Sequence, residues 1–237
     1  MSAAEIPMIG IVGGIGSGKT TVTDSVQQVF RSQRLDADVT GHRVLKRADI
    51  RKQLTDIFGT QILGSDGEIS RPALASRVFG NQPDQQAARK SLEQIVHPAI
   101  RASLLEEAAQ WRASGECDLL FLDAPLLLES GWAPLCDAIV FLDVPQEERL
   151  SRVRGRGWSE EDLARREASQ MQLEQKRQAA DVVIDQSGSL EESTIQLTEW
   201  LQKQFPQLQA KNSSQLRNNP ENRELRSKSI SGISKFE

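Results

Sequence analysis

Apolar residues along this chain gather in short continuous runs rather than strict alternation. Four of them stand out: MIGIV (Met8–Val12), DLLFLD (Asp118–Asp123), AIVFLDV (Ala138–Val144) and DVVID (Asp181–Asp185). Each is bounded by turn-forming or charged residues. Continuous apolarity over strand length predicts strands covered on both faces, as in a parallel sheet. The stretches between them are long enough for helical crossovers, which predicts a doubly wound α/β architecture. A fifth, thinner strand is expected to run into RLDAD (Arg34–Asp38).

From about Phe58 to Gly115 the pattern changes to helix formers, as in PALASRVF and SLEQIVHPAIRASLLEEAAQW. A second helical stretch, Glu147 to Gln178, is dense in Arg, Glu and Gln. Both follow strand C-terminal ends, the edge of an open α/β sheet at which ligands bind. The expected organisation is a nucleotide-binding core over 6–58, 116–145 and 179–203, a helical insertion over 59–115 and a lid over 146–178. From 204 to 237 the chain is polar and rich in Ser and Asn, which predicts a disordered tail.

Composition narrows the function classes. The 237 residues are 38% hydrophobic and 26% charged, with a net charge of −4. No global positive field is present to attract nucleic acid or anionic membrane. The opening MSAAEIPM lacks a basic region followed by an apolar one, and no apolar run approaches the ~20 residues of a membrane span. The expectation is a cytoplasmic protein. Cys117 and Cys136 stand in apolar surroundings without a C-x-x-C pattern, which predicts two buried thiols.

The strongest chemical signal is GGIGSGKT, Gly13 to Thr20, which fits G-x-x-x-x-G-K-[ST] between a strand and a helix expected over Lys19 to about Phe30. Gly13, Gly14, Ile15, Gly16, Ser17 and Gly18 would wrap a phosphate in backbone N–H groups at a helix N-terminus. Lys19 would neutralise β/γ oxygens, Thr20 would face Mg²⁺, and Thr21 closes the motif. Asp123 ends an apolar run and could complete the metal site; Asp143 is its rival. Asp36 and Asp38 follow the first helix, and period-two spacing on a strand would put both on one side, towards the same pocket. Asp38 could accept a proton from an acceptor hydroxyl. A GTPase would carry N-K-x-D, and none is present. Arg149, Arg152 and Arg156, at spacings of three and four, form one helical stripe suited to a phosphoryl-transfer transition state or to a salt-bridged surface helix.

These segments, in order, resemble the dephospho-CoA kinase family: GIVGGIGSGKTTV, DAD followed by GHRVL, FGTQILGSDGEISRPALASRVF, LEQIVHPAI, LDAPLLLESG, FLDVPQEERLSRVRGR and SQMQLEQKRQAADVVIDQSGSLE. The likeness implies a three-layer P-loop kinase with a five-stranded parallel sheet, a helical substrate domain and a lid. It implies ATP with Mg²⁺ and no prosthetic group, dephospho-CoA as acceptor, no nucleic-acid or membrane partner, and a monomer or weak homo-oligomer. It assigns Asp38 to activation of the acceptor's 3′-hydroxyl and Arg152 and Arg156 to the ATP phosphates. His97, Pro98, Leu126, Leu127 and Glu129 fall at the acceptor site, and Asp36 or Asp123 would reach the metal through water. The chain departs from the pattern in the short polar FRSQRLDAD, in a lid turn one residue shorter, in Gln172 for proline and in Gln186 for asparagine. Kinases of other small acceptors and nucleotide-dependent switches are the competing readings.

Overall fold

The computed structural model describes residues 6–80 and 82–211. Its centre is a parallel sheet of β1 (Met8–Gly13), β2 (Ser32–Asp36), β3 (Leu119–Asp123), β4 (Ala138–Asp143) and β5 (Val182–Asp185), ordered β2-β3-β1-β4-β5. All five expected strands are present. The side-chain period of two explains their continuous apolarity. Ile9, Ile11, Phe121, Val140 and Leu142 face α1 (Lys19–Val26) and α9 (Leu190–Gln204) on one side. Met8, Val12, Leu120, Leu122 and Phe141 pack on the other side with Leu104 and Ala108 of α5 (Pro83–Ser114).

The helical region is a second packing unit. In it α2 (Ala37–Leu45), α3 (Ala48–Phe58) and α4 (Arg71–Val78) lean on the first half of α5, burying Val44, Ile50, Leu54, Ile62, Leu74 and Val78. This unit therefore begins before the boundary expected at 59, because Ile50 and Leu54 bury their side chains against it rather than against the sheet. The 32-residue α5 serves both units: its first half packs in the helical cluster and its second half on the sheet. Pro98, which has no amide to give to the helix ladder, lies at the junction.

Between β4 and β5 the chain forms α6 (Gln146–Arg154), α7 (Glu160–Glu167) and α8 (Leu173–Gln178). Residues 204–211, expected to open a disordered tail, are held against the core. Leu208 is buried beside α1 and α9, and the Lys211 amide donates to the Val29 carbonyl at 2.7 Å. One apolar side chain in a polar stretch thus anchors the backbone as far as Lys211; the rest of the expected tail lies outside the described residues. No helix among the described residues is long and apolar enough to cross a membrane.

Candidate active site

The loop after β1 lies at the sheet's C-terminal edge, where β1 and its neighbour β3 send their connections in opposite directions. Gly16 (φ 81°) and Gly18 (φ 75°) adopt left-handed backbone that L side chains resist. Gly18 also caps α1 without a side-chain hydrogen bond, so the first helical amides stay available to an anion. The buried Ser17 Oγ and Gln186 Nε2 have no hydrogen-bond partner among the described residues. Unpaired buried polar atoms beside such a loop suit a polar ligand.

Arg149 braces this loop from below. Only 4% exposed, it donates to the carbonyls of Val144 (3.3 Å) and Ile15 (3.5 Å) and pairs with Glu167 of α7. A Cβ on Gly14 would fall 2.8 Å from its guanidinium. Arg152 donates to the Gly16 carbonyl (3.3 Å) and pairs with Glu148 (3.0 Å), so it too is engaged with the loop. Arg156, beyond the end of α6, instead lines the cleft. The single arginine stripe expected from spacing thus divides into braces and one residue facing the cleft.

The carboxylates also separate. Asp36 ends β2 and caps α2, accepting from the Val39 amide at 2.9 Å. The chain turns helical there, so the strand alternation expected for Asp36 and Asp38 does not hold. Asp38 is in the first turn of α2 and lines the cleft with Lys19. Partial desolvation, then the charges of Asp36 and Asp123, raise its pKa above the ordinary carboxylate value, with His42 and Lys19 opposing. Burial lowers the Lys19 pKa, opposed first by Asp123. Asp123 accepts from Thr20 Oγ1 (3.3 Å) and Arg34 Nη1 (3.4 Å). Asp143 is bound to Arg177, which leaves Asp123 as the carboxylate beside the loop threonine.

A cleft of roughly 1230 Å³ runs from the loop to the helical unit. Leu126 and His97 line it, and His97 meets the Trp132 ring edge-on at 5.7 Å. Burial lowers the His97 pKa, which keeps the imidazole neutral at neutral pH. Other residues expected at the acceptor site do not line the cleft. Leu127 is fully buried in the core, and Pro98 is taken up in α5. Glu129 accepts from the Met171 amide (2.8 Å) and pairs with Lys176 (3.0 Å). Lys176 is 1% exposed and also reaches Gln170 Oε1 (3.0 Å) and the Pro125 carbonyl (3.5 Å). Thr21 is exposed at the start of α1.

The roles of Arg149 and Lys176 were not legible from sequence. Each sits in a charged helix where a buried cation leaves no pattern. Arg71, Phe79 and Arg89 also line the cleft, and none of them was expected as a site residue. Both cysteines are free; Cys117 is buried as expected and Cys136 only partly so, though burial still pushes the Cys136 thiol up to about 12.

Comparison with known proteins adds a family to this geometry. The sequence model described as dephospho-CoA kinase matches residues 7–192. The dephospho-CoA kinase of Latilactobacillus sakei is 38% identical over 191 residues, covering 80% of this chain and 91% of that one. The Carboxydothermus hydrogenoformans enzyme of the same name is 37% identical over 205 residues, covering 84% and 94%. A solved Thermus thermophilus structure aligns with TM-score 0.70 at 36% identity, covering 84% of this chain and 98% of that one. The dephospho-CoA kinase from Campylobacter jejuni aligns with TM-score 0.61 at 26% identity, covering 83% and 98%.

Proposed function

The chain belongs to the dephospho-CoA kinase family, and on that premise we propose that it transfers the γ-phosphoryl group of ATP to the ribose 3′-hydroxyl of dephospho-CoA, giving coenzyme A and ADP. The observation that carries this reading is one cleft with Lys19 and the loop at one end, Asp38 on its wall and a helical unit at the other end. Its volume exceeds the ~300–1,000 Å³ of an ordinary small-molecule pocket, as a site for two nucleotides requires.

In this reading the loop amides and the α1 N-terminus hold the β-phosphate, and Lys19 bridges β- and γ-oxygens. Asp38 takes the proton of the 3′-hydroxyl as that oxygen bonds to phosphorus and the bridge to ADP breaks. Arg156 meets the charge spread over the transferring oxygens. Arg152, held to the Gly16 carbonyl, keeps the loop in shape. The segment 146–178 acts as a lid; Arg149 ties it to the loop through the Ile15 carbonyl and holds α6 to α7 through Glu167.

Mg²⁺ fits the residues present. Thr20 Oγ1 and Asp123 Oδ2 are hard oxygens 3.3 Å apart beside the loop. Among the described residues no group of three or more His, Cys, Asp or Glu forms a metal cage. That suits an ion taking most of its ligands from phosphates and water. Thr20 and Asp123 would hold Mg²⁺ there, and the ion would supply charge neutralisation on the β- and γ-phosphates.

The test is ADP release from ATP and Mg²⁺ with a panel of acceptors. Turnover is expected with dephospho-CoA. Turnover with AMP or shikimate and none with dephospho-CoA would overturn the reading.

A further inference from the structure

The edge strand β2 carries an arginine that does not behave as edge charges do. A charged side chain on an exposed strand ordinarily turns to water and guards the edge. The Arg34 side chain is only 26% exposed. Register explains where it goes. Arg34 and Asp36 project from one face of β2, opposite Leu35 in the core, and Asp36 pairs with Asp123 across the strands. Phe121, the register partner of Arg34, packs in the cluster that holds Val22 and Val26 of α1. Arg34 therefore lies on the face that α1 covers, where Thr20 and Asp24, four residues apart, form a stripe along the helix.

Arg34 thereby meets a hydroxyl and three carboxylates at once. Its Nη1 donates to Thr20 Oγ1 and Asp123 Oδ2, both at 3.4 Å, and lies 3.6 Å from Asp36 Oδ2. Its Nε lies 3.8 Å from Asp24 Oδ1. None of these carboxylates forms a salt bridge with another cation among the described residues. Thr20 Oγ1 and Asp123 Oδ2 are 3.3 Å apart, so Nη1 closes a nearly equilateral triangle over them. These are the two oxygens assigned above to Mg²⁺. The contacts are also long. Pairs elsewhere in the chain are closer, Arg43–Glu107 at 2.6 Å and Arg47–Asp49 at 2.7 Å. A guanidinium shared among four oxygens at such distances is tightly held by none of them and can be displaced.

We infer that Arg34 is a resident stand-in for the metal: its guanidinium holds Thr20 and Asp123 in place, keeps free divalent cations off them, and moves to Asp24 when Mg²⁺ arrives on the nucleotide. The inference rests on the metal site of the proposed function and adds the positioning residue that decides when that site fills. Electrostatics gives the reason. Asp24, Asp36 and Asp123 stand beside a loop that must accept a triphosphate, and three uncompensated carboxylates would repel it. A dication at the same oxygens repels the guanidinium in turn. Asp24, the most exposed of the three carboxylates, is the seat that remains.

Mn²⁺, which takes the same oxygen ligands and is counted free by electron paramagnetic resonance, tests this in the full chain. Without nucleotide, Arg34→Met is expected to bind Mn²⁺ about 10-fold more tightly than the unsubstituted protein, the low end for removal of a competing charged hydrogen bond. Arg34→Lys keeps a cation and stays within about threefold of the unsubstituted protein. A merely structural role would not tighten metal binding. Asp24 is exposed, so Asp24→Asn leaves the core intact. With ATP present and no acceptor, it is expected to weaken Mn²⁺ binding about threefold, and to have no effect in the Arg34→Met background. Equal Mn²⁺ affinity in Arg34→Met and the unsubstituted protein, or equal tightening in Arg34→Lys, overturns the inference. So does an Asp24→Asn effect that is absent, or of the same size in both backgrounds. Failure of ATP to promote Mn²⁺ binding to the unsubstituted protein overturns the metal site itself, and the inference with it.

Discussion

The two ends of the cleft are built differently. At the loop end the ligand groups are backbone amides, and the sequence that makes them is contiguous. Left-handed glycines at Gly16 and Gly18 shape the turn, and the start of α1 supplies the donors. At the helical end the cleft is lined by side chains drawn from α2, α4, α5 and the segment after β3. A contiguous backbone site is rigid and tolerates little change at a few positions. A distributed side-chain site rests on how separate helices pack, so single changes there should be graded in effect.

The largest effect is expected where the backbone does the binding. A valine at position 16 would have to adopt φ 81°, and its Cβ would fall 2.9 Å from the Arg149 carbonyl oxygen. Gly16→Val should weaken ATP binding on the order of 100-fold or more, since both strain and a backbone clash oppose the native loop. Affinity for dephospho-CoA, measured by calorimetry without ATP, should stay within about threefold. An equal loss of both affinities would show that the two ends form one cooperative unit.

A smaller effect is expected at the joint between them. Lys176 is buried and holds Glu129, Gln170 and Pro125 together under the cleft floor. Lys176→Met leaves the Glu129 carboxylate with the Met171 amide alone among these contacts. Loss of a buried partner costs about 3 kcal/mol, which lowers Tm by about 6–12 °C in a chain of this size. Lys176→Met with Glu129→Gln should recover about half of that fall, because no unpaired charge remains. Thermal unfolding checks both, and a double variant no more stable than the single would refute the ion-pair account.

This contrast also explains what could be read from the sequence. Four of the five strands were legible because a sheet covered on both faces favours apolar residues along its length, as in Ile9–Val12 and Leu119–Leu122, whereas β2 (SQRLD) has only Leu35 to show. The phosphate loop was legible because its chemistry is local. The boundary of the helical unit was not, since α3 is apolar only on the stripe that carries Ile50 and Leu54. Asp36 and Asp38 were placed on one strand face because the turn into α2 depends on Asp36 acting as a cap. Arg149 was hidden by distance: it reaches the Ile15 carbonyl across 134 residues of sequence.

In the proposed reaction Asp38, and not its neighbour two residues earlier, accepts the acceptor's proton. The direct measurement is the pH profile of kcat for Asp38→Asn beside Asp36→Asn, with ATP affinity measured in both. A base works only when ionised, so activity must fall as pH drops through the Asp38 pKa. Desolvation and the charges of Asp36 and Asp123 put that pKa above the ordinary value of about 3.9. Asp38→Asn should lower kcat on the order of 1,000-fold, abolish this acidic limb and leave ATP affinity unchanged. Asp36→Asn keeps a capping side chain for α2 and removes one like charge, so it should retain turnover and move the limb to lower pH. Loss of turnover in Asp36→Asn, with turnover and the acidic limb intact in Asp38→Asn, would rule out Asp38 as the base.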